Sequence, residues 1–156
     1  MTTTTTTIEA FFAEKVPAAW FAGPLRVEHD QDEILCVGPL PAGVAARDFR
    51  ESTRAERVAI AQEAEGTFRR KVSWGVEAGG ETTLFTTVAL PTMTRLRFAE
   101  RRILDTLVES GVARSRADAL GWCVRLVGRH QGEWLADLRD ALVGVERIRA
   151  EGPTLL

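Results

Sequence analysis

Between Thr94 and Val127 the spacing of apolar positions switches from the period of a strand to that of a helix. Along Thr94-Arg95-Leu96-Arg97-Phe98 polar and apolar side chains alternate, so Leu96 and Phe98 fall on one face while Met93, Arg95 and Arg97 fall on the other. After Phe98 the pattern is helical: Ile103, Leu104, Leu107 and Val108 recur on one face, and Gly111 suits that helix's C-terminus. Ser115 followed by Asp118 has the form of a capping box, and Ala119, Leu120, Cys123, Val124 and Val127 make a second apolar stripe. Trp122 and Leu126 widen that surface, so the second helix is expected to be buried on two sides. Gly128 and Gly132 weaken the helix around His130, and beyond them Trp134, Leu135, Leu138, Ala141, Leu142, Val145 and Ile148 form a third stripe that Gly152-Pro153 ends.

The first ninety or so residues read differently. Phe11, Phe12, Val16, Ala19 and Trp20 follow a helical pattern from Ile8 that Pro17 kinks or ends. Leu25 to His29 and Glu33 to Val37 are β-prone runs around Asp30-Gln31-Asp32, a hairpin. Thr53 and Glu56 predict a capped helix to about Arg70, with Val58, Ala61, Ala64, Glu65 and Phe68 as its packing face. Val72 to Glu77 and Thr82 to Leu90 then flank Ala78-Gly79-Gly80-Glu81 as a second hairpin. This order, helix, hairpin, helix, hairpin, predicts an α+β fold in which helices cover one face of an antiparallel sheet. A boundary is expected near Pro91, giving a disordered threonine-rich tail (1–7), an α+β domain (8–91) and a helical domain (92–150). Trp20, Trp74 and Phe85 are candidates to line a pocket, but aromatic residues at strand and helix spacing are more often core.

Charge changes the picture. The net charge is −2, which argues against a nucleic-acid binder until the distribution is read. From Thr92 to His130 there are eight arginines and four acids, 8 − 4 = +4, so the cationic charge is concentrated in the helical domain. Two cysteines, Cys36 and Cys123, lie in apolar runs without metal-ligand spacing and read as reduced core thiols. With neither a signal peptide nor an apolar run long enough to cross a bilayer, the expected location is the cytoplasm.

Thr94 to Phe98 as a ribbon, Ala99 to Ser110 as a first helix and Ser115-Arg116-Ala117-Asp118-Ala119-Leu120 opening a second together resemble the ribbon-helix-helix repressors of the Arc and MetJ type. The resemblance covers about a quarter of the chain, which departs from the usual pattern by placing a large domain before the ribbon and another helix after it. It implies a homodimer in which two chains pair their strands and insert the ribbon into the major groove of double-stranded, pseudo-palindromic DNA. Carried over by position, Met93, Arg95 and Arg97 would face the bases, and Arg114, Ser115 and Arg116 the phosphates. Leu96, Phe98, Leu104, Leu107, Leu120 and Val124 would form the dimer core. The physics is compatible: a major groove admits a two-stranded ribbon, Arg can donate two hydrogen bonds to guanine, and a helix N-terminus offers free N–H groups to phosphate.

Enzyme chemistry finds little support. Neither His29 nor His130 has a second His or Cys at ligand spacing, and Asp30, Asp32 and Glu33 lack the glycine and terminal glutamate of a calcium loop. Gly79-Gly80 precedes a strand rather than a helix, and Ser73, Ser110 and Ser115 lack a nucleophile's setting. No catalytic residue, metal or cofactor is expected. The leading expectation is a sequence-specific transcriptional regulator. The alternative is a structural or protein-interaction module, including an antitoxin-like one whose N-terminal domain binds a protein partner, that keeps the ribbon-helix-helix only to dimerise.

Overall fold

The computed structural model describes residues 7–153 and is an α+β protein of two compact units, Met1–Pro91 and Thr92–Leu156. Apart from Thr7, the expected disordered tail lies outside the described residues. Thr7 itself is ordered as a helix cap: its hydroxyl accepts the Ala10 N–H at 3.2 Å and opens α1, Ile8–Lys15.

Pro17 follows the end of α1 and leads into a single 3₁₀ turn, Ala18–Trp20. Strands β1 (Arg26–His29) and β2 (Glu33–Pro39) form the first hairpin. Asp30 shapes its turn, its Oδ1 accepting the N–H groups of Asp32 and Glu33, each at 2.8 Å. A second hairpin, β3 (Lys71–Ala78) with β4 (Glu81–Leu84), closes over Gly79-Gly80. Both glycines have positive φ, 61° and 81°, as a two-residue turn matched to strand twist demands. The strand expected to reach Leu90 ends at Leu84, although the Phe85 N–H still donates to the Trp74 carbonyl at 2.8 Å.

The sheet has the order β1-β2-β3-β4, and its central pair, β2 and β3, is parallel, with Cys36 opposite Trp74. This corrects the expectation of an antiparallel layer. The hairpins are joined by two helices, α2 (Ala46–Ser52) and α3 (Arg54–Phe68), and a helical crossover returns β3 in the direction of β2. The central strands are accordingly buried along most of their length. On one face Ile34, Cys36 and Trp74 pack with Ile8, Phe11 and Phe12 of α1 and Ile60 and Ala64 of α3.

The junction of α2 and α3 was not anticipated. Thr53 does not cap α3; its hydroxyl turns back to donate to the Phe49 carbonyl at 2.6 Å and accepts Arg57 Nε at 2.9 Å. The buried face of α3 is therefore Arg57, Ile60 and Ala64, and Val58 points outward, 47 % exposed.

The C-terminal unit contains α4 (Phe98–Glu109), α5 (Arg116–His130) and α6 (Gly132–Glu151). Gly111, at φ 79°, follows α4, and the Gly111 N–H donates to the Val108 carbonyl, the left-handed stop anticipated there. The core of this unit is small: Leu104, Ala113 and Ala119 are buried, with Leu96, Leu107, Val108, Leu120 and Cys123 packed at its edge. No residue of α6 is buried. Among the described residues no helix is long and apolar enough to cross a membrane.

Candidate nucleic-acid interface

Among the described residues, the stretch before α4 is tied to the sheet only at its start, where the Trp74 N–H donates to Thr86 Oγ1 and the Val88 N–H to Glu33 Oε1, each at 3.3 Å. From Thr86 to Arg97 there is neither helix nor paired strand, and Arg97 is extended at φ −80°, ψ 172°. Only Leu96 of Met93 to Arg97 turns inward, half-buried against Leu104 and its neighbours, while Met93, Arg95 and Arg97 are exposed. The alternation read from the sequence thus agrees with the inward turn of Leu96 and the exposure of Met93, Arg95 and Arg97, but Thr94, on the Leu96 face by that pattern, is exposed as well. The pattern fails at Phe98, which was expected to share the inner face with Leu96 but is the first residue of α4 and 70 % exposed. A helical residue steps about 100° around its axis instead of flipping by 180°, and that change of period carries Phe98 away from Leu96.

Two side chains of α4 fix where the extended stretch ends. Glu100 Oε2 accepts the Arg97 N–H at 2.6 Å, and Arg101 Nη1 donates to the Leu96 carbonyl at 2.6 Å. The Arg101 guanidinium also lies 6.0 Å from the centre of the Phe98 ring. These positioning residues were missed in the sequence, although Glu100 stands at the third helical position where such a reciprocal bond forms. N-terminal to Leu96, the backbone groups of Thr92 to Arg95 make no hydrogen bond among the described residues.

At the start of α5 the cap forms as read: Ser115 Oγ accepts the Asp118 N–H at 3.1 Å. Asp118 reaches one residue further back than a capping box would, to the Arg114 N–H at 3.0 Å and Arg114 Nε at 3.4 Å. The Arg114 backbone N–H, with its side chain, holds the Asp118 carboxyl below the usual carboxylate range. The Arg114 side chain is 93 % exposed. Arg116, assigned to phosphate with it, is engaged elsewhere: its guanidinium makes two bonds to Asp105 on α4, at 2.7 and 2.9 Å. That fork pins α5 to α4 and lowers the Asp105 pKa. The N–H groups of Arg116 and Ala117 remain without hydrogen bonds among the described residues, as a helix start leaves them.

Of the side chains assigned to a dimer core, Leu104 is buried within its own unit, and Leu96, Leu107 and Leu120 are half-buried. Phe98 and Val124 are 70 % and 66 % exposed, and Ile103, Val112, Val127, Trp134, Leu142 and Ile148 are also open to solvent. The unit therefore presents an apolar surface far larger than its core.

Comparison with known proteins divides the chain in a similar way. The family described as Rv1265-like protein, N-terminal domain, matches residues 6–84, and the Mb1296 C-terminal domain matches residues 97–149. The chain is 51% identical over 158 residues to the Mycobacterium tuberculosis protein Rv1265 and, to the same extent, to Mb1296 of Mycobacterium bovis, covering 93% of this chain and 70% of each relative. No solved structure matches it.

Proposed function

The chain belongs to the Rv1265-like family, and we propose that it is a homodimeric, sequence-specific DNA-binding regulator of transcription acting in the cytoplasm. Two copies pair the stretch before α4 antiparallel, and the ribbon so formed enters the major groove with Met93, Arg95 and Arg97 toward the bases. One observation carries this reading: an unpaired segment with two exposed arginines directly precedes a helix pair whose apolar surface is uncovered. Pairing with a second copy satisfies the free backbone groups and buries Phe98, Val124 and their neighbours in one event. Arg114 and the free N–H groups at the start of α5 then meet phosphate. Arg116 contributes its backbone only, because Asp105 holds its guanidinium.

The alternative, a module that dimerises without DNA, is favoured by a specific observation as well. The Asp118 carboxylate sits against the Arg114 N–H where phosphate would approach. Selection from a random-sequence duplex pool, followed by titration of the enriched site at fixed salt, separates the two. A regulator prefers its selected site over random DNA by roughly a thousandfold or more. Arg95→Ala or Arg97→Ala then costs about 1–3 kcal/mol and relaxes preference at the affected base pair. Absence of any enriched sequence sinks the proposal and leaves the dimerisation module.

A further inference from the structure

The N-terminal unit contains a cleft of about 750 Å³ lined by both arginine and apolar side chains. Arg50, Arg54 and Arg57 come from the α2–α3 junction, and Leu84, Phe85 and Val58 supply the greasy surface. Volumes of this order are those of small-molecule sites, which combine apolar linings with a few polar groups. We propose that this cleft binds an organic anion: an apolar or aromatic body on Phe85 and Leu84, and a phosphate or carboxylate group held by Arg50, Arg54 and Arg57. The inference stands independently of DNA binding.

Arg57 is the residue that makes the case. It is only 5 % exposed, and an arginine so deeply placed ordinarily faces a carboxylate. Here Nε donates to the Thr53 hydroxyl at 2.9 Å and Nη2 to the Arg50 carbonyl at 2.7 Å, and no acid pairs with it among the described residues. Its guanidinium lies 5.0 Å from the centre of the Phe85 ring, and that of Arg50 lies 5.8 Å from the same ring. Two cations gathered around one aromatic ring repel each other. Burial, and then the Arg50 and Arg54 charges, lower the Arg57 pKa, although guanidinium stays protonated throughout the physiological range. The one acid in the lining, Glu51, is bonded to Arg47 at 3.2 Å. Arg50 and Arg54 are thus left to a ligand, with Arg57 adding its charge and the N–H groups not given to Thr53 and Arg50, and planar guanidinium forks suit phosphate and carboxylate oxygens. Because a phosphate monoester carries nearly two charges and a carboxylate one, the phosphate is expected to bind more tightly.

Isothermal titration of the full chain with naphthyl phosphate, naphthoate and inorganic phosphate tests the assignment. Saturable one-to-one binding of an organic anion is expected, weakened about tenfold or more by Arg50→Gln and by Arg54→Gln. Both side chains are exposed and make no ion pair among the described residues, so unchanged melting in these variants shows that the fold is intact. Arg26→Gln, on β1, should bind as the wild type does. Tighter binding of the phosphate or of the carboxylate identifies which source the cleft prefers, and either supports the proposal. It is overturned if neither organic anion binds saturably, if both arginine variants bind unchanged, or if inorganic phosphate binds as tightly as the organic anions.

Discussion

The two units use their apolar residues in opposite ways. In the N-terminal unit Phe12 is fully buried, with its ring edge-on to those of Phe11 and Trp74, and Trp20 meets Phe49 edge-on at 5.7 Å between centroids. In the C-terminal unit Phe98 and Trp134 face solvent, and three buried residues hold the interior together. Of the large apolar side chains exposed among the described residues, four (Val44, Val58, Leu84, Leu90) lie in the N-terminal unit and twelve in the shorter C-terminal one. The first unit completes its core from its own chain. The second leaves most of its large apolar side chains exposed, which is the observation behind the proposed pairing with a second copy.

The comparison is broken most directly by removing one core residue from each unit. Phe12→Ala should cost about 3–5 kcal/mol and Leu104→Ala about 2–5 kcal/mol. In thermal unfolding of the full chain, Phe12→Ala should lower a transition independent of protein concentration. Leu104→Ala should lower one that moves with concentration, because a dimer's stability depends on it. A single transition insensitive to concentration in both variants would remove the distinction between the units.

Proline sharpens the comparison at the segment between them. The N–H groups of Thr94 and Arg95 have no partner among the described residues, so proline at either position should leave an isolated chain intact. In a paired ribbon adjacent N–H groups point to opposite sides, so one of Thr94→Pro and Arg95→Pro must delete ladder bonds. At about 1 kcal/mol per bond, and two bonds by symmetry, that variant should dissociate more than tenfold more readily. Equal dimer dissociation constants for both variants and wild type would exclude the ribbon.

Acid gives a smaller effect. The Arg116 fork lowers the Asp105 pKa, so its contribution is fully present above the ordinary unfolded value of about 3.9 and is lost as pH falls through the lowered folded value. Asp118, lowered chiefly by the Arg114 N–H, acts in the same direction, as does Asp30, held down by the Asp32 and Glu33 N–H groups, in the other unit. Asp105→Asn should therefore flatten, without abolishing, the acid loss of helical signal from the C-terminal unit. The smallest effect is chemical. Burial pushes the Cys36 thiol up to about 12, whereas Cys123 is half-buried at the edge of the C-terminal core. A thiol reagent at neutral pH should label Cys123 first and Cys36 only as the N-terminal unit opens; equal rates would contradict the difference in packing.

Period and turn chemistry made much of the fold legible. Asp30 and Gly79-Gly80 marked hairpins that formed, and Ser115 marked a helix start that is capped as read. Pairing direction between β2 and β3 was not legible, because side-chain alternation says which face is buried but not which way the neighbouring strand runs. On α3 the expected packing face holds at Ala64, which is buried, and at Ala61, Glu65 and Phe68, which are half-buried, but it fails at Val58 and left out Arg57 and Ile60. At the candidate interface, exposure of Met93, Arg95 and Arg97 followed from alternation, but the Asp105 partner of Arg116 is eleven residues away, beyond any local rule. Arg47, Arg50, Arg54 and Arg57 recur at helical spacing, a visible cationic stripe. Only the fold reveals that it lines an open cleft with Phe85, and that Arg57 alone among the four is buried.

Sedimentation equilibrium of the full chain tests the central claim, that the C-terminal unit completes itself with a second copy. At micromolar concentration a mass of twice 17.2 kDa is expected, falling toward the single-chain value on dilution. A mass of 17.2 kDa at every concentration, with the helices intact, would contradict it.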